Sequence, residues 1–174
     1  TEATVESTVD RVNSDLLDIR QIFNAANYNI VQEFDISSEK FAEQFSLLYE
    51  VNSDKIESLA LYGNEVRLIA SEPVAVEKEN IDVKGQDWYK NAESAIENVH
   101  FSVPHIQNLY EDGLYRYHWV VSLSRYVDIN DGEIPGSGVL LVDMKYSVIE
   151  DVLKQINDSS EGIYYYMISR DGQM

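Results

Sequence analysis

Residues 114–126, LYRYHWVVSLSRY, and 138–143, GVLLVD, decide the fold. Both stretches are dense in Val, Leu, Tyr and Trp, which suit a pleated, half-buried surface, and neither shows the helical spacing of apolar positions. Between them stand Asn130-Asp131-Gly132 and Pro135-Gly136, turn chemistry in both cases, so the two stretches read as antiparallel neighbours across a break. Upstream, Val99–Ser102 and Ile106–Tyr110 read as further strands, and Gln86–Asn98 as a helix carrying Trp88 and Tyr89 near its start. Downstream, Tyr146–Ile156 returns to helical spacing, and Gly162–Ser169 reads as one more strand ending at Arg170-Asp171-Gly172.

The front of the chain has a different character. Its first Gly is Gly63 and its first Pro is Pro73, so residues 1–62 hold neither strong breaker. Val5, Val9, Val12, Leu16, Ile19, Phe23, Ala26 and Ile30 step alternately by four and three, the heptad spacing of a long amphipathic helix. Phe23, Ala26 and Ile30 with the off-seam Ile22 and Val31 widen that stripe, so two readings stand: the helix packs on its own domain, or it meets a twin in a homodimer. A shorter helix fits Ser38–Tyr49, with Phe41, Phe45 and Leu48 on one face and Ser37 or Ser38 as N-cap. Ile56–Tyr62 and Glu65–Ser71 then alternate as strands joined by a tight hairpin at Gly63-Asn64, and residues 72–85 read as a surface loop. The sum is an α+β fold: a long N-terminal helix, then an antiparallel sheet of about five strands with flanking helices.

Thirteen Lys and Arg against 31 Asp and Glu give a net charge of −18 in 174 residues, which repels nucleic acid and anionic lipid surfaces. There is no Cys, which excludes disulfides, thiolate metal sites and a Cys nucleophile. The three histidines, His100, His105 and His118, form no zincin pattern. The run Asp128–Glu133 places its Gly one position early for a calcium loop and reads as a hairpin loop. Gly136-Ser137-Gly138 fits neither a nucleophile elbow nor a dinucleotide fingerprint. These motifs point to a binder without catalysis, cofactor or metal.

Asp87-Trp88-Tyr89, then 103–110 (VPHIQNLY), then 119–125 (WVVSLSR), then 138–143 (GVLLVD) resembles, in order and spacing, the distal half of double Cache domains, the PAS-like extracellular sensors of bacterial receptors. The 104–109 and 121–125 pieces look most like the sensor regions of LytS/YesM-type histidine kinases. The resemblance implies a signalling helix over 1–35, a membrane-distal Cache domain over 36–160, and over 161–174 the first strand of a membrane-proximal Cache domain; alternatively that last strand completes the sheet of a single domain. It implies a sensor histidine kinase as the whole protein, spans outside this stretch of chain, and a location on the outer side of the plasma membrane. A non-signalling extracellular adhesion module is the competing reading.

In amino-acid-binding members of that family the pocket is similar to Arg-x-Trp-Tyr, then Tyr-x-Asp, then an Asp closing the last strand. Trp88, Tyr89 and Asp143 match it. Gln86 stands at the Arg position, His105 at the Tyr and Gln107 at the Asp. The residues themselves suggest a site walled by Trp88, Tyr89, Tyr117 and Trp119, with Gln86, His105, Gln107 and Asp143 orienting the ligand. Two amides in place of charged groups favour a neutral polar ligand such as a sugar. Asp143 is the sharpest candidate, because an acid ending a buried apolar strand needs a partner.

Overall fold

A computed structural model describes residues 2–94, 100–132, 134–159 and 168 of the chain. Helix α1 spans Glu2–Ala26 and runs without a break into a π-helical turn, Asn27–Val31. Helix α2, Glu39–Asn52, begins at Ser38, whose Oγ accepts the Phe41 N–H at 3.1 Å, as the N-cap reading requires.

The strands are β1 (Ile56–Tyr62), β2 (Leu68–Glu72), β3 (His100–Phe101), β4 (His105–Gln107), β5 (His118–Asp131) and β6 (Ile134–Lys145). Helix α3, Asp87–Ser94, lies between β2 and β3, and α4, Tyr146–Ser159, follows β6 directly. The sheet order is β2-β1-β6-β5-β3, with β4 also paired to β5, and every pairing is antiparallel. This is the α+β, PAS-like arrangement expected, with the sheet central and helices on both faces.

Strand alternation divides the interior in two. Leu140, Val142 and Met144 of β6, with Val121 and Leu123 of β5 and Leu59 and Leu61 of β1, pack against Ile19, Phe23 and Ala26 of α1 and Phe41 and Phe45 of α2. On the opposite face Val139 and Leu141, with Ala60 and Tyr62, pack against Trp88, Tyr89 and Ala92 of α3. Gly138 lets β1 and β6 approach closely. A Cβ there would stand 2.0 Å from the Tyr62 carbonyl oxygen.

The heptad of α1 serves two surroundings. From Val12 onward it packs within the domain, where Val12 meets Val152 and Ile156 of α4. Val12 is 7% exposed but Val9, one turn earlier, is 51% exposed.

Three local expectations need correction. The β1–β2 connection is wider than a two-residue turn: the Gly63 N–H closes it on the Arg67 carbonyl at 2.8 Å. Left-handed backbone falls on Glu65 and Val66 (φ 59° and 61°) and not on Gly63-Asn64, so β2 starts later, at Leu68. Pro135-Gly136 does not break the β5–β6 pair but belongs to β6, opposite Asn130 and Ile129. The turn is made by Gly132, at φ +66°, and the proline sits in the first residues of its strand, where a missing N–H is tolerated. The strand expected from Leu114 begins only at His118, because Asp112 folds the preceding segment onto itself, accepting the Leu114 N–H at 2.8 Å. The strand expected at Gly162–Ser169, and with it the expected proximal-domain segment, lies outside the described residues apart from Ile168.

Candidate functional site

The register sets Ser58 of β1 and Ser122 of β5 on either side of Asp143 of β6, a polar row across an otherwise apolar sheet. Asp143 is fully buried. Its carboxylate accepts the Ser58 hydroxyl at 2.8 Å, the Ser122 hydroxyl at 2.5 Å, and the Gln107 side-chain amide. Burial pushes the carboxyl above its ordinary range. The hydrogen bonds from Ser122, Gln107 and Ser58 and the nearby His105 act in the other direction.

His105 extends the network. Its Nε2 lies 3.3 Å from the Ser122 oxygen, and its Nδ1 lies 3.0 Å from the Val103 carbonyl and 3.2 Å from the Ser102 hydroxyl. Since the Ser122 hydrogen goes to Asp143, Nε2 donates to Ser122. The sequence singled out Asp143, Gln107 and His105, and the structure brings them together.

Beside this row opens a cleft of about 430 Å³, lined by Ser58, Gln107, Tyr110, Glu111, Arg116 and His118 and by Pro73–Val76. The segment 109–117, which contributes Tyr110–Gly113 and Arg116 to its wall, is tied down at several points. The Glu111 N–H donates to the Val76 carbonyl at 2.8 Å, and the Lys78 N–H to the Leu109 carbonyl at 2.9 Å. His118 bridges the segment to β1: Nε2 lies 2.7 Å from Asp112 Oδ2 and Nδ1 lies 2.6 Å from Glu57 Oε1. Only the imidazolium form presents an N–H to both carboxylates. The His118 hydrogen bond, then those from the Leu114 N–H and Arg116, hold the Asp112 carboxyl well below the usual carboxylate range.

The remaining predicted residues lie elsewhere. Trp88 and Tyr89 share the Asp143 face of the sheet, but they are buried in the apolar layer, ring centroids 5.7 Å apart, and do not line the cleft. The Trp88 indole N–H is buried without a hydrogen-bond partner. Gln86 is committed at the start of α3, its amide donating to the Asp82 carbonyl at 3.1 Å.

Tyr117 and Trp119, 78% and 51% exposed, line a second cleft of about 660 Å³ with Pro104, Tyr146, Ser147 and Glu150. The pleat explains the separation: Ser122 faces Asp143, so Trp119, an odd number of residues away, faces the other side. Ser58, Ser122, Asp112, Arg116 and His118 were not singled out as a site from sequence. Two serines inside apolar strands were the available signal, and only the cross-strand register shows that they flank one acid. Among the described residues no group of three or more His, Cys, Asp or Glu is arranged to hold a metal ion, and no helix is long and apolar enough to cross a membrane.

This topology, a long helix leading into a PAS-like sheet, is that of the Cache-type ligand-binding domains of bacterial chemoreceptors. The similar solved structures include the ligand-binding domain of the Pseudomonas fluorescens chemoreceptor CtaA in complex with L-serine (19% identity over 95% of this chain and 65% of that one, TM-score 0.65). They also include those of the Pseudomonas aeruginosa PAO1 amino-acid chemoreceptors PctC with GABA (18% identity, 88% and 63% covered, TM-score 0.66) and PctB with L-Gln (18% identity, 92% and 59% covered, TM-score 0.59). At these identities the likeness is one of fold. The chain spans 59–65% of the length of these structures. No family model and no curated protein matches the sequence.

Proposed function

We propose that this chain is the extracellular small-molecule sensing domain of a bacterial membrane receptor, taking a small amine-bearing ligand of the amino-acid type in the cleft before Asp143, and catalysing nothing. The observation that carries the reading is the buried Asp143 carboxylate directly behind two cleft residues, Ser58 and Gln107. A ligand ammonium displacing the Gln107 amide would meet a desolvated carboxylate already oriented by two hydroxyls. Glu57, Glu111 and Asp112 around the cleft add negative potential, and Arg116, at the same cleft, offers a fork for a ligand carboxylate. The neutral, sugar-like ligand expected from Gln86 and Gln107 loses one support, because Gln86 does not reach this cleft. Amino acids and GABA are the ligands named for the neighbours. The output module of the whole receptor is proposed from the LytS/YesM resemblance to be a histidine kinase, which the full-length reading frame tests directly.

Isothermal titration of the domain with L-amino acids, ω-amino acids and their N-acetylated forms tests the ligand class. Free amines should bind and the acetylated forms should fail, and at a hundred times its dissociation constant a true ligand should stabilise the fold by about 2.7 kcal/mol. Equal binding of the acetylated compounds would refute the role given to Asp143.

A further inference from the structure

The second cleft is separate from the first and differs in chemistry. The Glu57–His118 pair stands in the wall of both, but the first cleft opens before a buried carboxylate and the second before exposed rings. Trp119 and Tyr146 approach with ring centroids 6.4 Å apart and planes inclined at 48°, and Tyr117 lies two residues from Trp119. These rings are only partly used by the protein's own core, since Trp119 is half exposed and Tyr117 mostly so.

Around them stand Ser147, Glu150 and Glu57. The Lys145 ammonium donates to the Ser53 carbonyl at 2.7 Å and shares the wall with the carboxylates of Glu57 and Glu150, which oppose an anionic ligand. Carboxylates and hydroxyls set beside aromatic faces at this volume suit a polyhydroxylated ring: its C–H face covers apolar ring surface while its hydroxyls donate to the rim. Charged groups this close to the aromatic centre are unlike the dehydrated core of a protein interface, and a net charge of −18 opposes a second copy.

We propose that the Trp119–Tyr146–Tyr117 cleft is a carbohydrate subsite that takes a neutral pyranose unit, independent of the cleft before Asp143. The probes are maltose, cellobiose and N,N′-diacetylchitobiose, each titrated to millimolar concentration and followed by saturation-transfer NMR on the intact domain. At least one should receive saturation from the protein with a saturable response, lost in Trp119→Ala and weakened at least tenfold in Tyr117→Ala, and unchanged in Asp143→Asn or Arg116→Gln. Tyr117→Ala keeps the test decisive if Trp119→Ala does not fold, because Tyr117 is mostly exposed. Absence of transfer to all three sugars would overturn the proposal. So would binding that survives both aromatic substitutions, or loss in Asp143→Asn, which would place the sugar in the first cleft. Concentration-dependent self-association abolished by Trp119→Ala would overturn it in favour of a contact between copies.

Discussion

Replacing Asp143 separates the cost of its hydrogen bonds from the cost of its buried charge. Asp143→Ala leaves the Ser58 hydroxyl, the Ser122 hydroxyl and the Gln107 amide without their acceptor. Both serines are buried, and each stranded donor costs about 1–3 kcal/mol. Gln107 is half-buried at the cleft and regains water. Removing a desolvated charge offsets part of the loss, so the net expectation is about 2–4 kcal/mol of destabilisation at pH 7. That corresponds to a melting temperature lower by roughly 4–16 °C for a domain of this size. Asp143→Asn keeps an acceptor for Gln107 and removes the charge, so its stability at pH 7 should lie within about 1 kcal/mol of the parent or above it.

The pH dependence follows with a definite sign. A carboxyl whose folded value is raised binds its proton more tightly in the native state. Its contribution therefore weakens as pH rises from the ordinary value of 3.8 through the raised folded value, and then levels off. The stability of Asp143→Asn relative to the parent should grow across that window. Urea unfolding followed by circular dichroism over a pH series measures all three proteins. An Ala variant as stable as the parent, or an Asn variant as damaged as Ala, would refute the reasoning.

Gly138→Ala should cost about 3 kcal/mol or more, seen as a collapse of soluble yield or melting temperature, because the new methyl meets the rigid carbonyl of Tyr62. Val12→Ala should cost about 1–2 kcal/mol in chemical denaturation and Val9→Ala almost nothing, since only Val12 is enclosed by Val152 and Ile156. The Asp112 carboxyl, held low in the folded state, stabilises the 109–117 segment above its ordinary value, and that contribution is lost as pH falls through the lower folded value. Amide protection factors at 113–117, taken relative to the intrinsic exchange rate at each pH, should fall on acidification below the ordinary value of 3.8, and Asp112→Asn should remove the dependence.

The α+β order, the long front helix and the Ser38 cap were legible in the sequence because each rests on local spacing or local chemistry. Asp143 was legible for a related reason: a carboxylate closing an apolar strand is anomalous by itself. Its partners Ser58 and Ser122 were not, since serines 64 residues apart (122 − 58) become neighbours only through the β1-β6-β5 register. Tyr117 and Trp119 were grouped with Trp88 because aromatic content carries no information about which face of the pleat a ring occupies. The clamp of His118 between Glu57 and Asp112 was hidden for the same reason, one partner being local and the other 61 positions away (118 − 57).

Strand β6 ends at Lys145 and α4 starts at Tyr146, with no connecting segment between them. Asp143 therefore lies on a stiff lever with no hinge next to it. No loop stands between the strand that carries the carboxylate and the base of a helix about 20 Å long at 1.5 Å per residue. The far part of that helix, at Val152 and Ile156, bears on Val12 of α1. The polar row and the contact between α1 and α4 are thus connected through β6 and α4 with no loop between them.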